Sequence, residues 1–128
     1  MNALIVDDSD AVRGMLVEHL SRLGFAVEQA ANGMEALALA ARIQTLAIVL
    51  LDWDMPGMDG LEVLRRLRAE ASTRELPVVM LTTEHELPFV ESALNAGASE
   101  YLMKPFDAQT VLEKLLLLGV DPEVRRAA

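Results

Sequence analysis

The run Leu46-Ala47-Ile48-Val49-Leu50-Leu51, closed by Asp52, decides the fold. Six consecutive apolar residues with no polar alternation mark a strand covered on both faces, which places it in the middle of a parallel sheet. Ala3-Leu4-Ile5-Val6 and Val78-Val79-Met80-Leu81 are runs of the same kind. Ala26–Gln29 mixes polar and apolar residues and is expected at an edge, and Glu100–Met103 completes a set of five strands.

The stretches between these runs carry helical period. Asp10–Leu23 places Val12, Met15, Leu16, Leu20 and Leu23 on one face and stops before Gly24, a residue suited to the position just past a helix end. Helices are predicted at Met34–Ala41, Leu61–Glu70, Pro88–Ala96 with Gly97 after it, and Ala108–Leu118 with Gly119 after it. Pro88 suits a first helical position, where no N–H is needed. Five strand–helix units joined by right-handed crossovers make an α/β open doubly wound sheet, whose ligand site lies outside the carboxyl ends of the central strands.

The chain of 128 residues, 52% hydrophobic, suffices for one domain with a sizeable core, assigned to residues 1–119, with 120–128 as a short C-terminal tail. With no second domain in view, output is expected to come from a partner. The absence of cysteine excludes disulfides, thiol nucleophiles and thiolate metal sites, leaving oxygen and imidazole as ligands, and fits a cytoplasmic location. The N-terminus reaches Asp7 and Asp8 without a basic or long apolar stretch, so no signal peptide is expected. No apolar run approaches the ~20 residues that span a bilayer, and no membrane insertion is expected. A net charge of −9 opposes contact with phosphate backbones, so direct nucleic acid binding is not expected.

Polar groups collect at the predicted strand ends. Asp7 and Asp8 follow the first strand, Asp52 the third, Thr82 the fourth and Lys104 the fifth. Taken singly each has an ordinary explanation: a turn or cap for an Asp, a β-branched strand residue for Thr82, a solvated charge for Lys104. Together they matter, because the carboxyl ends of parallel strands are neighbours in space. Three carboxylates at ~5 Å, with each pair costing about 3 kcal/mol at an effective dielectric near 20, favour protonation or a hard divalent cation. Mg²⁺ suits such a site because it takes one or two carboxylates and recruits phosphate oxygens; Mn²⁺ is a substitute. A metal, a hydroxyl and an ammonium around one more carboxylate also form the set that phosphoryl transfer requires, with Asp52 as nucleophile.

The segments Ile5-Val6-Asp7-Asp8-Ser9, Leu51-Asp52-Trp53-Asp54-Met55-Pro56-Gly57-Met58-Asp59-Gly60, Pro77-Val78-Val79-Met80-Leu81-Thr82-Thr83 and Gly97-Ala98-Ser99-Glu100-Tyr101-Leu102-Met103-Lys104-Pro105-Phe106 resemble the receiver domain of two-component response regulators, with a layout like the single-domain chemotaxis type. The resemblance runs over roughly residues 3 to 118. It implies a flavodoxin-like (βα)5 sandwich with a five-stranded parallel sheet in the order 2-1-3-4-5. It also implies Asp52 as phosphoacceptor, Asp8 as direct metal ligand, Asp7 holding metal-bound water, and the Asp54 backbone carbonyl as a further ligand. Thr82 matches the switch hydroxyl, Lys104 the phosphoryl-binding lysine, Pro105 the proline that follows it, generally in a cis peptide, and Tyr101 the aromatic rotameric switch. Glu84 falls at a position lining the site entrance.

By the same resemblance the protein is a phosphorylatable signalling module that assists its own phosphoryl transfer and dephosphorylation, and is not otherwise an enzyme. A sensor histidine kinase or histidine phosphotransfer protein supplies the phosphoryl group. An output protein is met through the face made by helix 4, strand 5 and helix 5, and the chain is a monomer or a phosphorylation-dependent dimer. One alternative is a haloacid-dehalogenase-like phosphatase, since Asp52-Trp53-Asp54 fits its Asp-x-Asp pair, but Asp7-Asp8 come early and no cap follows. A flavodoxin-like cofactor binder would need a phosphate loop where Asp7-Asp8-Ser9-Asp10 stand. A non-phosphorylated pseudo-receiver would have lost a key residue, and none is missing. His19 and His85 lack ligand spacing and are expected outside the site. The run Leu115–Leu118 offers more leucine than one buried stripe uses, so part of it is expected at the surface.

Overall fold

The computed structural model describes residues 1–121. Strands β1 (Asn2–Val6), β2 (Ala26–Ala30), β3 (Leu46–Asp52), β4 (Val78–Thr82) and β5 (Glu100–Met103) alternate with helices α1 (Asp10–Arg22), α2 (Gly33–Arg42), α3 (Gly60–Ala69), α4 (Val90–Asn95) and α5 (Ala108–Leu117). All strand pairs are parallel and the order is β2-β1-β3-β4-β5, so the first crossover runs one way and the next reverses past β1. This reversal opens the crevice between the carboxyl ends of β1 and β3 where α/β sheets of this kind bind ligands.

The central strands are covered on both sides, as their unbroken apolar runs require. Leu4, Val6, Val49, Leu51, Val78 and Met80 face α2, α3 and α4, while Ala3, Ile5, Ile48, Leu50, Val79 and Leu81 face α1 and α5. Fully burying a leucine- or isoleucine-sized side chain stabilises by about 1.5–3 kcal/mol, which outweighs any single helix propensity and lets the strands dictate where the helices lie. β2 is the mostly exposed edge that its composition predicts.

The helices start where short polar side chains can take an orphan N–H. Ser9 accepts from Val12 N–H, Asn32 from Glu35 N–H, Asp59 from Glu62 N–H and Asp107 from Thr110 N–H. Two details of the helices differ from expectation. Met15 stands 42% exposed on α1, whose buried stripe is Leu16 and Leu20. The fourth helix begins as a 3₁₀ segment over Glu84–Phe89, with Pro88 inside it, and is α-helical only over Val90–Asn95.

That helix starts early because the Glu86 carboxylate accepts from Thr83 N–H at 2.7 Å and from the Thr83 hydroxyl at 3.1 Å, closing a turn ahead of Pro88. Pro88 has no N–H for an α-type bond to Glu84, which keeps the segment in the tighter 3₁₀ form. On α5, Leu115 is buried while Leu116 and Leu117 are exposed. Val120, the first residue assigned to the tail, is buried against the α1/α5 side of the core, and the tail from position 122 onward lies outside the described residues.

Candidate functional site

The β1 and β3 runs end on acids because both strands emerge at the crevice. Asp7 directly follows β1 and is fully buried; Asp52 closes β3 and is 4% exposed; Asp8, one residue on, is exposed. Carboxylate oxygens of Asp7, Asp8 and Asp52 lie within 4.8 Å of one another, a spacing and a hard oxygen donor set that fit a small divalent cation such as Mg²⁺.

The ammonium of Lys104, carried in from the end of β5, stands 2.8 Å from Asp7 Oδ2 and 3.0 Å from Asp52 Oδ1. The backbone helps to place it, since Lys104 N–H donates to the Thr82 carbonyl at 2.7 Å and the Lys104–Pro105 peptide is cis. Thr82, the last residue of β4, is fully buried and its hydroxyl has no hydrogen-bond partner. A buried, unpaired hydroxyl is costly to keep, so it marks a place where an acceptor is missing.

Burial pushes the Asp52 carboxyl up to about 7, with the Asp7 and Asp8 charges adding and the Lys104 hydrogen bond and charge opposing. Burial works to lower Lys104, but the hydrogen bonds and charges of Asp7 and Asp52 prevail and hold it above the ordinary lysine range. The site is therefore short of positive charge near neutral pH.

The scaffold around these groups contains residues that motif spacing alone does not reveal. Ser9 N–H donates to Asp7 Oδ1 at 2.9 Å, and the Arg13 guanidinium donates to the Asp7 carbonyl at 2.7 Å while also pairing with Asp10, so the first turn of α1 orients Asp7. Gly60 starts α3 against the acceptor strand: a Cβ there would lie 2.2 Å from the Asp52 carbonyl oxygen. Only glycine permits this approach, and the Gly60 N–H donates to the Trp53 carbonyl at 2.9 Å. The place of Arg13, one helical turn inside α1 beside two acids, is a signal the sequence carries, whereas the need for glycine at position 60 arises only from the packing of α3 on β3.

Asp54 and Glu84 have exposed side chains. Tyr101 on β5 is half-buried against the side of the core that includes α4. His19 is half-buried on α1 and His85 exposed in the 3₁₀ segment, and neither belongs to the acidic cluster. Among the described residues no helix is long and apolar enough to cross a membrane.

Comparison with known proteins agrees with this geometry. The family model for the response regulator receiver domain matches residues 3–116. A chemotaxis protein CheY homolog of Campylobacter jejuni is 40% identical over 116 residues, 90% of this chain and 89% of the relative. The structure of the chemotaxis response regulator CheY4 of Vibrio cholerae superimposes with a TM-score of 0.85 at 35% identity, covering 91% of this chain and 97% of that one. The receiver domain of sensor histidine kinase PA1611 from Pseudomonas aeruginosa, which has a magnesium ion coordinated in its active site cleft, superimposes with a TM-score of 0.82 at 29% identity, covering 91% and 94%.

Proposed function

Because the chain belongs to the response regulator receiver domain family, we propose that it is a single-domain, CheY-like response regulator that accepts a phosphoryl group on Asp52 and signals through phosphorylation-dependent partner binding. The observation that carries this is the convergence of three carboxylates, the Lys104 ammonium and the unpaired Thr82 hydroxyl on one crevice.

Asp7, Asp8 and Asp52, with the Asp54 backbone carbonyl, would hold Mg²⁺ or Mn²⁺, and the magnesium in the Pseudomonas aeruginosa receiver domain supports this assignment. When bound, the ion supplies charge that neutralises the cluster and stabilises phosphoryl oxygens. An Asp52 carboxylate oxygen attacks phosphorus, and the P–N bond of a phosphohistidine donor breaks. The electron pair of that bond leaves with the imidazole nitrogen, which takes a proton.

The ammonium of Lys104 then exchanges its Asp52 contact for a phosphoryl oxygen, and the Thr82 hydroxyl finds there the acceptor it lacks. Movement of Thr82 vacates space into which Tyr101 turns, altering the face built from α4, β5 and α5. The donor is a sensor histidine kinase or a histidine phosphotransfer protein, the output partner docks on that face, and the chain works in the cytoplasm as a monomer or a phosphorylation-dependent dimer.

The test is labelling by acetyl phosphate. Acid-labile label is expected with Mg²⁺ or Mn²⁺, little in chelator, and none on Asp52→Asn. Equal labelling in chelator, or full labelling of the variant, would overturn the assignment. Absence of label on the wild-type protein under all conditions would instead favour a receiver that works without phosphate.

A further inference from the structure

Resting on the switching role proposed for Tyr101, we propose that Glu100 and Lys114 form a latch that holds the Tyr101 ring in its phosphate-free position and so sets the threshold of the switch. Three contacts meet at this point. The Lys114 ammonium lies 4.6 Å from the centroid of the Tyr101 ring. It is paired with Glu100 Oε1 at 3.2 Å, and the same carboxylate oxygen accepts the Tyr101 N–H at 3.0 Å. The acid next to Tyr101 on β5 therefore fixes where the α5 cation stands, and the cation in turn covers the ring.

The pair is poorly solvated, with side chains 22% and 24% exposed, so water and salt screen it less than an ordinary surface ion pair. Tyr101 also packs against the buried core cluster that includes Ala93 and Ala98. Tyr101 thus combines packing on that core with a positioned cation whose attraction to an aromatic face is strongest when desolvated. Turning inward forfeits the cation and leaves the Glu100–Lys114 pair intact, so the contact stabilises one end of the equilibrium only, which is the condition for biasing it. None of these three groups touches the acidic crevice, which separates the latch from the chemistry of Asp52.

The experiment compares wild type, Glu100→Gln, Lys114→Met, the double variant and Lys114→Arg in the full chain. Beryllofluoride affinity in Mg²⁺ is read from Trp53 fluorescence, and the Tyr101 ring resonances are read by NMR in the absence of any phosphate mimic. Each single variant is expected to bind beryllofluoride about threefold to tenfold more tightly, since either loses the positioned cation. The double variant should gain no more than the better single one, because the two residues act through one contact. Lys114→Arg, which keeps a cation over the ring, should stay within about twofold of wild type. The ring resonances should move in both single variants.

Unchanged affinity in both singles, or additive gains in the double, would overturn the latch. So would a lowered denaturation midpoint with no change in affinity, which is what a merely structural pair would give. Failure of the wild type itself to bind beryllofluoride would count against the proposed function, and the latch would then stand or fall on the ring resonances alone: unmoved resonances would reject it.

Discussion

Replacing Asp52 by asparagine should make the metal-free protein more stable, by an amount that grows with pH. The carboxyl is pushed from 3.8 to about 7, first by burial and then by the charges of Asp7 and Asp8, against the pull of Lys104. Between these two values the folded state binds a proton that the unfolded state has released, so stability falls as pH rises from 3.8 to about 7 and then levels off. The gap, 7 − 3.8 at about 1.36 kcal/mol per tenfold, comes to roughly 4 kcal/mol in all. More than half of it falls between pH 5 and pH 8, since at pH 5 the loss is still well short of complete. Asparagine has no proton to lose and keeps an oxygen that Lys104 can donate to, though at less than full charge. The variant should thus exceed wild type by about 1–3 kcal/mol at pH 8, with the difference shrinking toward pH 5. Urea denaturation of both proteins in chelator at pH 5, 6, 7 and 8 measures this directly, and taking the difference cancels the other titrating groups. A difference that is flat with pH, or that grows as pH falls, would refute the account of Asp52 as a buried carboxylate strained by its neighbours.

The same proton competes with a cation, so apparent Mg²⁺ affinity followed by Trp53 fluorescence should weaken roughly 90-fold from pH 8 to pH 5, in proportion to 1 + 10^(7−pH), and Asp52→Asn should lose the step near pH 7. Lys104→Ala removes the ammonium that bridges Asp7 and Asp52, which relieves repulsion of a cation but also lets the Asp52 carboxyl rise further, so Mg²⁺ binding at pH 7.5 should stay near wild type while acetyl phosphate labelling slows at least ~10-fold; equal loss of both would mean the lysine only supports the fold. Gly60→Ala forces a methyl to within 2.2 Å of the Asp52 carbonyl oxygen, so the α3 start must shift, with about 1–3 kcal/mol lost in urea denaturation and slower labelling; a silent substitution would show that this approach is not required.

Much of the architecture was legible because it depends on neighbours in sequence. The unbroken apolar runs at β1, β3 and β4 can only be buried on both faces, and Gly24, Gly97 and Gly119 each end the helix that precedes them in the left-handed backbone region that suits glycine. Given five such units, parallel pairing with right-handed crossovers brings the strand ends together, so Asp7, Asp8, Asp52, Thr82 and Lys104 could be assigned to one crevice from their positions alone. The tertiary structure decided what each of them does there. Whether Lys104 points to solvent or bridges two carboxylates distant in sequence depends on how β5 stacks beside β4, and whether Thr82 finds an acceptor depends on what packs over the end of its strand. The 3₁₀ start of the fourth helix turned on a contest between the Thr83–Glu86 cap and Pro88 that periodicity does not rank. The Lys114–Tyr101 contact joins an edge strand to the next helix around the rim of the sheet. Periodicity and capping act over a few residues; the position of a charge or a hydroxyl in space is set by long-range packing, which no local pattern encodes.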